Sequence, residues 1–217
     1  VAFLHFAQRR VRIGILEVGL GGRYDATNVV DQCVSVIGPI GFDHTEVLGR
    51  ELTAIAREKA GIVSKEGARR RGASGTVVIS AQQAPEVAGL LEETVGREGQ
   101  LVVYGRQMEA TILRHGVDGL DMTVQGMRGR YDGLHLPLIG RHQAANATLA
   151  IAAVEALAGD GVPYEAVRRG IRDEHIEFLP IGDMDRHRLL ERPGLQAIGA
   201  IDGGRQLAVD GQAIDRL

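Results

Sequence analysis

The chain has 217 residues, with 25 basic and 28 acidic side chains and a formal net charge of −3. That balance excludes the basic footprint of a nucleic-acid binder, and the absence of tryptophan with only 4% aromatic residues argues against base stacking. No apolar run is long enough to span a bilayer, no signal-peptide pattern opens the chain, and the single cysteine, Cys33, suits a buried hydrophobe in a reducing cytoplasm.

In chain order, residues 1–9 read as a helix already under way, with neither a cap nor an initiator methionine, so the chain is expected to be a fragment. Residues 11–18 are apolar and β-branched and predict a buried strand. Residues 33–37 predict a second strand, ending at Gly38-Pro39. Apolar residues at Leu48, Leu52, Ile55, Ala56 and Ala60 have helical spacing, and Gly61 is placed to act as a C-cap. Residues 65–75 are basic and glycine-rich, a solvated loop or a phosphate-binding patch. Residues 76–80 predict a third strand, 85–96 a helix with Pro85 in its first turn, and 101–104 a fourth strand.

The texture then changes. Residues 108–113, 120–125 and 134–139 predict an antiparallel meander added to the parallel sheet. An alanine-rich helix follows Gly140 and runs to about Ala158, where Gly159-Asp160-Gly161 stops it. Pro163 begins a short helix ending at Gly170, and residues 197–202 with 205–210 predict a hairpin around Gly203-Gly204. The fold class is therefore α/β: a mostly parallel sheet flanked by helices.

The chemistry concentrates where strands should end. Glu17 closes the first strand, and Gly19-Leu20-Gly21-Gly22 then precedes Asp25, Thr27 and Asn28. Ligands of open α/β sheets lie beyond the carboxyl ends of the strands. The pattern lacks the third glycine of a dinucleotide fingerprint, where Tyr24 stands, and no Gly-Lys-Ser/Thr follows it. A glycine turn beside a solvated strand-end acid accounts for the same residues. Asp43 and His44 follow the second strand, so a parallel sheet would set Glu17 and His44 at one edge. A carboxylate and an imidazole can share a divalent cation, with Asp43 an alternative ligand, and a surface or helix-capping histidine is the plain alternative. Lys59 lies 15 residues after His44, about 22 Å along one continuous helix. The two can meet only if residues 44–50 turn and the helix folds back.

The stretch Glu17-Val18-Gly19-Leu20-Gly21-Gly22-Arg23-Tyr24-Asp25-Ala26-Thr27-Asn28 resembles the signature of the folylpolyglutamate synthase and dihydrofolate synthase family. These are ATP-dependent amide ligases of the Mur ligase superfamily. Asp43-His44-Thr45-Glu46, followed by Leu48-Gly49 and then Ile55-Ala56-Arg57-Glu58-Lys59-Ala60-Gly61-Ile62, is similar to the family's second and third signatures. Leu136-Pro137-Leu138-Ile139-Gly140-Arg141-His142-Gln143-Ala144-Ala145-Asn146-Ala147 resembles its adenine-contacting segment. The resemblance implies Mg2+ at Glu17 and His44, a carbamylated Lys59 that helps hold the metals, and ATP contacts at Gln143 and Asn146. It places Asp25, Ala26 and Thr27 with the folate-type substrate, L-glutamate as the amine, and no nucleic-acid or membrane partner. Residues 1–170 then form the central ATP-binding domain, P-loop NTPase-like but without the phosphate loop, and 171–217 form a divergent segment.

The family's phosphate loop is expected before residue 1, and its C-terminal arginine and Asp-Gly-Ala-His-Asn-Pro-like segment find no match, so weak or no turnover is expected of this chain alone. Gly38-Pro39 also departs from the family's polar pair. The alternatives are a scaffold that kept the fold and lost the chemistry, and a Mur-type peptidoglycan precursor ligase, which the Asp25-Ala26-Thr27-Asn28 cluster disfavours. A nicotinamide oxidoreductase would need the missing glycine and a ribose-binding acid.

Overall fold

The computed structural model describes residues 2–63, 76–97, 99–159 and 161–172, and the backbone of 196–201. The apolar runs become strands β1 (Ile13–Glu17), β2 (Val34–Ile37), β3 (Val77–Ser80) and β4 (Gln100–Val103). Every residue of β2 and β3 is buried, as a parallel strand covered on both faces requires. All four strands join one parallel sheet with β8 (Gln196–Ile201), in the order β1-β8-β2-β3-β4.

Helix α1 (Ala2–Arg9) precedes β1. The helix expected over 48–61 is two pieces, α2 (Thr45–Leu48) and α3 (Leu52–Ala60). Gly49, at φ 103, breaks them where an L side chain would be strained. Helix α4 (Pro85–Val95) begins on its proline as expected. Ile55 and Ala56 of α3 and Val87 and Leu91 of α4 cover one face of the sheet, over Ile37 and Val78.

The meander is a separate three-stranded antiparallel sheet, β5 (Glu109–Gly116), β6 (Gly119–Gln125) and β7 (Arg130–Leu136). β7 starts and ends earlier than the sequence suggests. Its register aligns Gln125 with Arg130 and buries Tyr131, and Pro137 has no N–H with which to extend the ladder.

Helix α5 (His142–Ala158) lies between the two sheets. Leu149, Ala152, Ala153 and Ala156 pack with Val34, Val36, Val77 and Ile79, while Ala144, Ala147 and Ile151 pack with Leu120, Met122 and Leu134. Alanine on both faces lets the layers approach closely. Helix α6 (Tyr164–Arg172) closes the antiparallel side through Ala166 and Val167.

Of the hairpin expected over 197–202 and 205–210, the first half is β8, parallel to both its neighbours. Residues 64–75, which include the basic glycine-rich stretch, and residues 205–210 lie outside the described residues. Cys33 is buried, as expected. Among the described residues no helix is long and apolar enough to cross a membrane.

One buried acid fastens α5 to the antiparallel sheet. Glu155 is fully buried and accepts hydrogen bonds from the N–H groups of Met127 at 2.7 Å, Arg128 at 3.3 Å and Gly129 at 2.9 Å, and from the Tyr131 hydroxyl at 2.9 Å. Burial and the adjacent carboxylate push the Tyr131 phenol well above its ordinary pKa. Glu155→Ala strands these donors in the interior and should cost about 2–4 kcal/mol. Urea unfolding of both proteins at neutral pH measures it, and the variant should unfold at clearly lower urea.

Candidate functional site

The loop after β1 is built around one carboxylate. Asp25 accepts from the N–H groups of Gly19 at 3.1 Å, Leu20 at 3.2 Å and Thr27 at 2.8 Å, and from the Thr27 hydroxyl at 2.6 Å. Burial alone would raise its pKa, but the four donors outweigh burial and hold it below the ordinary carboxylate value. Asp25 therefore has a local duty that the sequence did not reveal: it staples the glycine turn.

The same loop is seated on the last turn of α3. The Arg23 N–H donates to the Glu58 carbonyl at 2.9 Å. The Asn28 side-chain amide donates at 3.1 Å to both the Arg23 and Gly61 carbonyls. A Cβ on Gly22 would lie 2.8 Å from the Glu58 carbonyl oxygen, and one on Gly61 would lie 2.4 Å from the Arg23 Cβ. Gly61 follows α3 as its C-cap, as expected, with φ −59, an ordinary right-handed value. Glycine is needed there for the closeness of the loop, not for a left-handed turn. Lys59 lies in this turn and is buried, 7% exposed.

His44 precedes α2 in a left-handed conformation, φ 46, one of two non-glycine residues with positive φ among those described. Its Nε2 lies 3.6 Å from the Asp43 carboxylate, and both side chains are about half exposed. Gln83, which sequence reasoning missed, secures the chain leading to this pair: it donates to the Gly38 carbonyl at 2.8 Å and accepts from the Ile40 N–H at 2.9 Å. The glutamines after β3 were its only signal.

Glu17 ends β1 in an exposed position. It aligns with Ala200 of β8, which aligns with Val36 of β2, so Glu17 and Val36 stand at one height, roughly 9.6 Å apart across two strand spacings. Loop, α2 and α3 meet here: a Cβ on Gly21 would lie 3.1 Å from Leu48. The segments carrying Glu17, His44 and Lys59 are thereby brought to the same edge of the sheet. Among the described residues no three His, Cys, Asp or Glu side chains form a metal-holding group.

Gln143 and Asn146 lie on the first turn of α5, with the Asn146 amide donating to the Gln143 side-chain oxygen at 3.0 Å.

Residues 1–154 match the family described as the Mur ligase middle domain. The chain belongs to the Mur ligase middle-domain family. It is 41% identical over 191 residues to the dihydrofolate synthase/folylpolyglutamate synthase of Mycobacterium tuberculosis, an alignment covering 87% of this chain and 38% of that one. It is 29% identical over 179 residues to the folylpolyglutamate synthase of Lacticaseibacillus casei, covering 81% and 40%. The Mycobacterium tuberculosis folylpolyglutamate synthase crystallised with ADP and AMPPCP superposes with a TM-score of 0.68 at 38% identity, over 78% of this chain and 38% of that one. An FPGS complex with AMPPCP and folate superposes with a TM-score of 0.68 at 30% identity, over 77% and 40%. This Mur ligase middle domain thus spans about two fifths of the length of these relatives.

Two predictions follow from the loop geometry. Because the Asp25 pKa is depressed on folding, its stabilisation is complete above the ordinary value of 3.8 and is lost as the pH falls through the lower folded value. Unfolding midpoints at pH 7 and pH 3 should therefore diverge more in the native chain than in Asp25→Asn. Gly61→Ala forces the loop off α3, and hydrogen exchange of the Arg23 amide should accelerate at least tenfold.

Proposed function

We propose that this chain is the nucleotide- and metal-handling domain of a ligase that uses ATP to join L-glutamate to dihydropteroate or a folate. The observation that carries the reading is the clamp between the Glu17–Asn28 loop and the α3 turn bearing Lys59, made by Arg23–Glu58 and Asn28–Gly61. It joins segments that are far apart in sequence at the edge where α/β sheets bind ligands. The nucleotide-complexed relatives at 38% and 30% identity support the same reading.

In that reaction a substrate carboxylate oxygen attacks the γ-phosphorus of ATP, and ADP leaves. The glutamate amine then attacks the acyl carbon of the acyl phosphate, and phosphate leaves with the bond electrons. Glu17 and His44, with Asp43 beside it, supply an oxygen-rich donor set that suits Mg2+, which keeps several waters and takes its remaining ligands from phosphates. When bound, the ion offsets charge developing on the transferred phosphoryl group. Lys59, carbamylated, adds a carboxylate-like group at the buried end of α3. Gln143 and Asn146 orient each other so that the Gln143 amide N–H groups and the Asn146 carbonyl oxygen remain to pair with the edge of adenine. Asp25, Ala26 and Thr27 form the wall facing the folate-type substrate. The reaction places the protein in the cytoplasm, where ATP and folates are held.

The absence of a three-ligand cluster among the described residues favours a second reading, a scaffold that binds no metal. Calorimetry of AMPPCP binding separates them. The ligase reading expects Mg2+ to tighten binding, and Glu17→Ala to remove about tenfold, or roughly 1.4 kcal/mol, of that gain. Equal affinity with Mg2+ and with chelator would leave the scaffold.

A further inference from the structure

Gln32, just before β2, is only 3% exposed, and among the described residues its side-chain amide takes part in no hydrogen bond. An amide carries two N–H donors and an acceptor oxygen, and burying them without partners costs as much as losing a hydrogen bond. Gln32 lines a cavity of about 10 Å3, walled on its apolar side by Leu16 of β1 and by Ile62 just after α3. Thr27 and Asn28 of the loop after β1 line the same cavity, and each has bonding capacity left over. The Asn28 side-chain nitrogen is spent on the Arg23 and Gly61 carbonyls, which leaves its oxygen as an acceptor. The Thr27 hydroxyl gives its hydrogen to Asp25, which leaves its lone pairs. The cavity therefore has the room of a single water and offers the roughly two to four polar partners that a buried water needs.

We propose that one ordered water is bound in this cavity, accepting from the Gln32 amide and donating to the Asn28 side-chain oxygen and the Thr27 hydroxyl, and that Gln32 is through it a positioning residue for the loop. The terminal torsion of an asparagine is broad and roughly two-fold, so its nitrogen and oxygen can exchange places. Asn28 clamps the loop to α3 only while its nitrogen faces the two carbonyls. A water that donates to the oxygen on the other side, and is itself held by Gln32, reinforces that orientation. The influence of Gln32 thus passes through the water and Asn28 to Gly61, next to the turn that bears Lys59. The water site stands without the function proposed above; only the consequence for Lys59 in a ligase rests on that reading.

The test uses the full-length chain. Its crystal structure should show one water within about 3.2 Å of the Gln32 amide nitrogen, the Asn28 side-chain oxygen and the Thr27 hydroxyl. Gln32→Leu keeps most of the bulk and offers no donor, so the water should be lost from that variant. Hydrogen exchange of the Arg23 amide should then accelerate about fivefold, as the loss of one hydrogen bond predicts, while β5, β6 and β7 keep their protection. Asn28→Ala should also speed Arg23 exchange, and adding Gln32→Leu to it should change little, because Gln32 acts through Asn28. General destabilisation would add the two effects in full. The water in the native chain is observed without any variant, so the proposal stays testable even where Gln32→Leu fails to fold. An ordered water at the three groups in a chain that shows no Mg2+-dependent AMPPCP binding sustains the assignment and overturns the ligase reading instead. No ordered water there, or Arg23 exchange unchanged by Gln32→Leu, overturns the proposal.

Discussion

The seating of a glycine loop on the end of a helix is the constraint from which the site follows. The last carbonyls of a helix have no partner within it, and an end without donors is costly to bury. Here the donors come from the loop after β1: the Arg23 N–H for Glu58 and the Asn28 amide for Gly61. The contact is possible because neither Gly22 nor Gly61 has a side chain, so two backbones approach where a single Cβ would collide. Asp25 gives the loop its shape by gathering three N–H groups and a hydroxyl. One interaction therefore satisfies a helix end, fixes a strand-end loop and buries Lys59 beside it.

The second organising element is α5, shared between two sheets. Its alanines serve two cores at once, and its one buried charge, Glu155, is spent on the β6–β7 turn rather than on a ligand. Gln143 and Glu155 are separated by about 18 Å of helix. The first turns of α5 and the network at its far end are thus parts of one helix, fastened to the antiparallel sheet through Glu155. Nothing in the spacing of a lone glutamate in an alanine-rich helix announces this duty, since its partners come from a turn near residue 127.

The sequence showed its strands well because β2 and β3 are short apolar runs buried on both faces, a pattern that survives any tertiary arrangement. Helices with a proline start or an alanine body were equally plain. The readings that failed depended on long-range partners. Residues 197–202 looked like half of a hairpin because the glycines beside them mark a turn, whereas pairing with β1 and β2 lies more than 150 residues away and leaves no local trace. The second duty of Gly61 was hidden for the same reason: a glycine after a helix suggests a cap, which it is, and only the loop across from it shows that space matters there too. The motifs themselves were legible as letters, while the duties of Asp25, Asn28 and Gln83 as fasteners were not.

The two loops that frame the site are held unequally, and the difference bears on how the site can work. The loop after β1 is over-determined, with Asp25, Asn28 and two glycine contacts enforcing one shape. The chain after β2 depends chiefly on one side chain, Gln83, and then leads to His44 at a backbone angle that costs free energy for any residue with a Cβ. Strain of this kind persists only where something compensates for it, and here the His44 carbonyl accepts from the Val47 and Leu48 N–H groups at 2.9 Å as the helix begins. The loop after β1 is thus fixed from several directions at once, while the chain after β2 is fixed by Gln83 and by the helix that His44 begins.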